Sequence, residues 1–253
     1  MYIIYIQKIM GVLNILSWNN PDKELEESLR ESVKLNPDDA EAHCMLGDLL
    51  CELNKLSEAE KEYPNAVSID SDYDRAYCKL GNLLCELGRF DDAEHEFRKA
   101  EMINPDDAKI HENFESVLYN LNKFSEAEHE LREAIRLNPD NAEYHKTLGN
   151  LLCELSRFCE AGEEYREAIN LNPYDEIACY NLGNMLCNME RFTEAEEEYR
   201  RSISINPNLA AAHYNLGKLL YGMNRFAEAE KEYREAISIN PDIVKIHKNL
   251  SFY

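Results

Sequence analysis

The stretch AEYHKTLGNLLCELSRFCEAGEEYREAINLNPYD, residues 142–175, holds two apolar stripes of helical period separated by a polar break. Leu148, Leu151, Leu152 and Leu155 fall at i, i+3, i+4 and i+7, the spacing that lines one face of an α-helix. After a short turn near Ser156 and Arg157, Phe158, Ala161, Tyr165, Ala168 and Ile169 line a second helix. The segment NPYD closes it, because the residue before a proline is pushed out of the helical region. The spacing therefore predicts a hairpin of two amphipathic helices.

The same frame recurs along the chain every 34 residues. Prolines stand at 37, 105, 139, 173, 207 and 241, with Ser71 filling the one gap. Alanines occupy 59, 93, 127, 161, 195 and 229, and glycines 47, 81, 149, 183 and 217. Glycine at the eighth position and alanine at the twentieth leave no bulk, so the two helices can approach closely. An aromatic at position 17 and a Tyr, Phe or Leu at position 24 fill the space between them. A single such hairpin cannot bury its apolar face, so neighbours must stack. That accounts for 253 residues, 44% of them hydrophobic, organised as an extended array rather than around one large core.

The pattern resembles the tetratricopeptide repeat family. The resemblance implies an all-α fold, a right-handed α-solenoid (superhelix) of stacked antiparallel helix pairs. Six full repeats are expected at 40–73, 74–107, 108–141, 142–175, 176–209 and 210–243. Residues 1–39 fit a degenerate N-terminal repeat, and 244–253 a partial C-terminal capping helix. Two units depart from the pattern. The third places Glu115 where the others have glycine, with Phe114 before it, which should loosen or reshape that hairpin. The first carries Pro64 inside its second helix, where a kink or break is expected between Glu60 and Pro64.

Composition narrows the function. The formal net charge is −22, from 49 acidic and 27 basic side chains, which excludes nucleic acid as the main partner because phosphate binding needs a basic surface. The acidic excess lies mostly on the second helices, in runs such as SEAEHELREA and TEAEEEYRR, and reads as a solubility coat. The inner surface is closer to neutral. Residues 1–18, MYIIYIQKIMGVLNILSW, lack a basic leader and a small-residue cleavage site, and are short for a span with Lys8 near the middle. A packed amphipathic helix is expected there; a membrane or processing segment, or an extension upstream of a start at Met10, are the other readings. A cytoplasmic protein is expected, without a membrane partner.

The cysteines look at first like metal ligands, as in HCMLGDLLCEL at 43–53. Cys44 and Cys51 are separated by seven residues, about 10 Å of helical rise, too far to share one zinc or to form a disulfide. They read as small, semi-buried side chains spread by duplication, as do Cys78, Cys85, Cys153 and Cys187. His43, His111, His145, His213 and His247 all occupy position 4 and read as flat core fillers. EAEH at 126–129 and DAEH at 92–95 lie on a solvated face, and HENFE at 111–115 lacks the second histidine of a zinc-protease motif. No phosphate loop, nucleophile elbow or other catalytic constellation appears, so no enzyme activity, metal or cofactor is expected.

What remains is a non-enzymatic protein–protein interaction scaffold. The resemblance implies a concave groove lined by positions 2, 5, 6, 9, 12 and 13 of the first helices, which would hold a peptide or a partner's helix. Those positions give Lys146, Asn150, Tyr180, Asn181 and Asn184 in the fourth and fifth repeats. They add Tyr214, Asn215, Lys218 and Tyr221 in the sixth. Lys146, Asn150 and Asn181 match three of the five positions of the family's dicarboxylate clamp, whereas Ala211 and Asn215 stand at its other two basic positions. The competing reading is an assembly module that self-associates, as a homo-oligomer, or joins a complex through its ends.

Overall fold

The computed structural model describes residues 21–243, so the expectations for residues 1–18 and 244–253 lie outside the described residues. These contain thirteen helices and no strand: α1 (Pro21–Leu35), α2 (Ala40–Glu52), α3 (Leu56–Ile69), α4 (Asp74–Glu86), α5 (Phe90–Ile103), α6 (Ala108–Asn120), α7 (Phe124–Leu137), α8 (Ala142–Glu154), α9 (Phe158–Leu171), α10 (Glu176–Asn188), α11 (Phe192–Ile205), α12 (Ala210–Gly222) and α13 (Phe226–Ile239). They divide into two compact units, residues 1–106 with α1 to α5 and residues 107–253 with α6 to α13. Within each unit consecutive helices pack as pairs, and each pair packs on the next.

Local chemistry sets the ends of each helix. Asp39, Asp107, Asn141 and Asp175, at the close of the proline-containing turns, accept hydrogen bonds from the first backbone N–H groups of α2, α6, α8 and α10. At the other end of each first helix one residue turns left-handed: Asn54, Gly88, Asn122, Ser156, Glu190 and Asn224 have φ between 57° and 71°. The following N–H then reaches back across the last turn, as from Arg157 to the Leu152 carbonyl at 2.8 Å. This is a Schellman cap, and it reverses the chain within two residues.

The hairpins close at the glycines. A Cβ added to Gly47, Gly81, Gly149 or Gly183 would stand 2.6, 2.7, 2.7 or 2.8 Å from the ring of Tyr63, Phe97, Tyr165 or Tyr199 respectively. The alanine at position 20 is likewise sealed, from Ala59 to Ala195. In the third pair Glu115 occupies the glycine site, and the facing residue is Leu131 rather than an aromatic. The smaller side chain provides the room, and the pair forms intact with Phe114, Leu118 and Leu131 fully buried. Burial pushes the Glu115 carboxyl up to about 7, against a hydrogen bond from Ser116.

The histidines do more than fill space. The Nδ1 atoms of His43, His111, His145 and His213 lie 2.6 to 2.8 Å from Glu62, Glu130, Glu164 and Glu232 on the partner helix. In His43, His145 and His213 the Nε2 atom also lies 3.1 Å from the carbonyl of Pro37, Pro139 or Pro207 in the preceding turn. Each of these rings ties its hairpin to the loop before it. Tyr77 and Cys179 replace histidine in the second and fifth pairs, and there a cation appears three residues past the glutamate. Lys99 lies 3.3 Å from Glu96 and over the Tyr77 ring, while Arg201 donates to the Pro173 carbonyl at 3.5 Å. The exchange is incomplete in the fifth pair: Glu198 Oε2 is buried with no hydrogen-bond partner.

Two expectations change. Helix α3 is not broken at Pro64, but runs through it from Leu56 to Ile69. Pro64 sits on the exposed face, so the ring meets solvent while Tyr63 and Ala66 carry the packing. The acidic second helices are also more than a coat. Lys55, Arg89, Arg157 and Arg225 reach back to Glu26, Glu60, Glu128 and Glu196 of the preceding pair, linking successive pairs. Each exposed link contributes little, up to about 1 kcal/mol. Gly162 takes the glutamate's place in α9, and Arg191 pairs only with Glu194 in its own helix.

Glu115 makes stability pH-dependent. Its folded-state pKa lies above the ordinary value, so its contribution is full below about pH 4.5 and is lost as pH rises through about 7. Glu115→Gln should therefore flatten the pH dependence and exceed the parent at pH 8 by up to about 3 kcal/mol in urea unfolding. Equal stability of the two proteins at pH 8 would contradict this. Arg201→Glu should destabilise by about 1 kcal/mol or more, because burial already raises Glu198 and Arg201 opposes that. Adding Cys179→His should recover the loss, since His with Glu at these two positions is the combination found in the fourth and sixth pairs. A double variant no more stable than Arg201→Glu would reject the exchange.

Candidate functional site

In residues 107–253 the first helices α8, α10 and α12 lie side by side, and polar side chains bridge between them. The tyrosines that pack on Gly149 and Gly183 extend their hydroxyls past the hairpin core to the residue after each glycine. Tyr165 donates to Asn150 Oδ1 at 2.8 Å and Tyr199 to Asn184 Oδ1 at 2.7 Å. The same two oxygens accept a second bond from the next helix, from Asn181 Nδ2 at 2.9 Å and from Asn215 Nδ2 at 2.8 Å. Asn215 Nδ2 also donates to the Tyr180 hydroxyl at 3.0 Å. An amide whose oxygen has both lone pairs used has only its NH2 left for a further partner. Asn150 and Asn184 thus offer donors and Asn181 and Asn215 offer acceptor oxygens, in alternation along the face.

The cysteines at position 12 join this network from below. Cys153 and Cys187 lie 3.6 and 3.5 Å from the hydroxyls of Tyr165 and Tyr199. Burial pushes both thiols up, so these sulfurs are poor nucleophiles at neutral pH. Cys179, deeper in the fifth pair, is pushed up to about 11 by burial. All eight cysteines are free thiols.

Between the fifth and sixth pairs the face opens into a cavity of about 420 Å³. Its walls are apolar where Cys187, Phe192, Leu219 and Met223 meet it, and polar at Asn184, Asn188, Asn215 and Lys218. Phe192 is 43% exposed and Lys218 is exposed beside it.

The nine residues named from the sequence fare differently. Asn150, Tyr180, Asn181, Asn184 and Asn215 form one hydrogen-bonded system, and Lys218 stands at the cavity. Tyr214 packs on Tyr233 and Tyr221 on Phe226, with ring centroids 5.5 and 5.2 Å apart and Tyr221 60% exposed. Lys146 is not offered to a ligand: it lies between Glu143 at 2.7 Å and Asp175 at 2.9 Å. Although burial works against both charges, the pairing keeps Lys146 above and Asp175 below the ordinary ranges. Without that lysine the clamp arrangement retains only its asparagines. The cavity walls Phe192, Leu219 and Met223 were missed. One signal was in the sequence, since position 13 is glutamate at 52, 86 and 154 but Asn188 and Gly222 here.

Family models described as tetratricopeptide repeat match residues 29–61, 74–107, 116–176 and 176–242, and one described as TPR repeat matches 47–84. Among solved structures the chain is similar to YrrB, titled a TPR protein with an unusual peptide-binding site, at 24% identity and a TM-score of 0.66, over 74% of this chain and 96% of that one. It is similar to Pseudomonas aeruginosa pilF at 18% identity and a TM-score of 0.68, over 85% and 97%. MamA matches at 23% identity and a TM-score of 0.62, over 66% and 97%. No curated protein matches the chain. At these identities the solved structures speak for the fold alone. No helix among the described residues is long and apolar enough to cross a membrane.

Proposed function

Because the chain belongs to the tetratricopeptide repeat family, whose members mediate protein–protein interactions, we propose that it is a non-enzymatic scaffold holding an extended segment of another protein. The segment lies along the first-helix face of α8, α10 and α12. The observation that carries this reading is the fixed alternation of amide donors and acceptors from Asn150 to Asn215. An extended backbone presents C=O and N–H groups in turn, so fixed amides can hold it with little ordering cost and without reading its side chains. The exposed Tyr221 adds rigid apolar area with a polar tip.

Asn184 is a poor choice for testing this, since its loss would strand the buried Tyr199 hydroxyl. Asn181, Asn188 and Tyr221 can be changed without uncovering a buried group. Peptides selected on the wild-type protein from a random heptapeptide display library, then labelled for fluorescence anisotropy, provide the probe. The variant Asn181→Ala/Asn188→Ala/Tyr221→Ala should lose at least about tenfold in affinity with helicity unchanged. Glu197→Ala/Glu230→Ala, exposed on the second helices, should stay within about twofold. Selection of no peptide, or greater damage from the glutamate pair, would overturn the reading.

A further inference from the structure

Lys218 differs from every other lysine or arginine on the first helices of the described residues. Arg75 and Lys79 pair with Asp48, Lys109 with Glu112, and Lys146 with Glu143 and Asp175. Lys218 is exposed and has no carboxylate partner among the described residues. The reason lies in the repeat frame. It occupies the position after the glycine, where Asp48, Asn150 and Asn184 are engaged by a tyrosine hydroxyl. A lysine cannot accept that bond, so its ammonium group is left at the cavity mouth. Nor does the cavity lining hold an acidic side chain. Helix α10 has no charged side chain after Glu176, which binds Asn206, and α12 has no acidic residue. In a chain with 49 acidic side chains, Lys218 is a cation with no ion-pair partner among the described residues, at a cavity none of whose lining residues is acidic.

We infer that the scaffold takes an acidic-apolar peptide segment: one bulky apolar side chain enters the α10–α12 cavity while a neighbouring carboxylate pairs with Lys218. This deepens the proposed function and rests on it. The cavity, at about 420 Å³, falls in the range that encloses a ligand group, and its Phe192, Leu219 and Met223 walls reward an aromatic or branched side chain. Thioether and sulfhydryl walls at Met223 and Cys187 adapt to its shape. The net charge of −22 does not forbid an acidic partner, because exposed charges beyond about 8 Å are largely screened at physiological ionic strength and Lys218 lies within contact distance of the bound segment.

The test uses the full chain and the selected heptapeptides. Their consensus should combine Asp or Glu with an aromatic or branched apolar residue. Alanine at either position of the peptide should weaken binding at least about tenfold. Lys218→Glu should weaken it similarly, and replacing the peptide's carboxylate by lysine should restore it on that variant alone. Lys218 is exposed, so the fold is not at stake, and circular dichroism of each variant checks this. Peptides that bind the face but tolerate Lys218→Glu within about twofold, or whose consensus is basic, would overturn the inference and leave the scaffold reading standing. Selection of no peptide would overturn both.

Discussion

The close contact between a glycine on one helix and an aromatic ring on its partner governs the rest of this structure. Between Gly47 and Tyr63 a single added carbon would stand 2.6 Å from the ring, and the same contact closes the hairpins at Gly149 and Gly183. Packing this close locks the ring, and the locked ring delivers its hydroxyl to the next residue on the first helix. Core and site therefore share one part. The ring face stabilises the hairpin, while the hydroxyl edge orients Asn150 and Asn184 for the exposed face. Where the frame offers lysine at that position, as at Lys218, the same geometry releases a charge.

The consequence is a division of labour between the two helices of each pair. Second helices carry more than twice as many acidic residues as first helices, some of them used for links between successive pairs, such as Arg157 to Glu128 and Arg225 to Glu196. First helices in residues 107–253 carry amides, tyrosines and thiols, with charges mostly neutralised within the repeat. A chain of high net charge can thus present a nearly neutral surface, because charge is sorted by helix rather than spread evenly. Buried His–Glu contacts, from His43–Glu62 to His213–Glu232, hold the two kinds of helix in register.

Helical period and the 34-residue frame revealed the helix pairs and the tight glycine, since these depend on spacing within one segment. Pairings across helices were not legible. Nothing in the period tells that Glu130 seeks His111, nineteen residues away, or that Asp175 neutralises Lys146. Glu115 breaks the glycine frame, but Leu131, nearly half a repeat away in sequence, gives it room across the pair. Pro64 looked like a break because its exposure on the outer face is a tertiary fact. Position in the frame names the expected groove residues, but their hydrogen-bond partners and the cavity at Phe192 depend on the packed helices.

If glycine and ring form one interlocked contact, their substitutions must be strongly coupled, as the natural Glu115 and Leu131 pair already implies. The direct test is a double-mutant cycle in urea unfolding with Gly183→Ala, Tyr199→Leu and the combination. The account predicts that the double variant costs less than the sum of the two single losses by more than about 1 kcal/mol, because leucine makes room for the added methyl group. Additivity within about 0.3 kcal/mol would show that glycine and ring act independently, and would contradict the central claim.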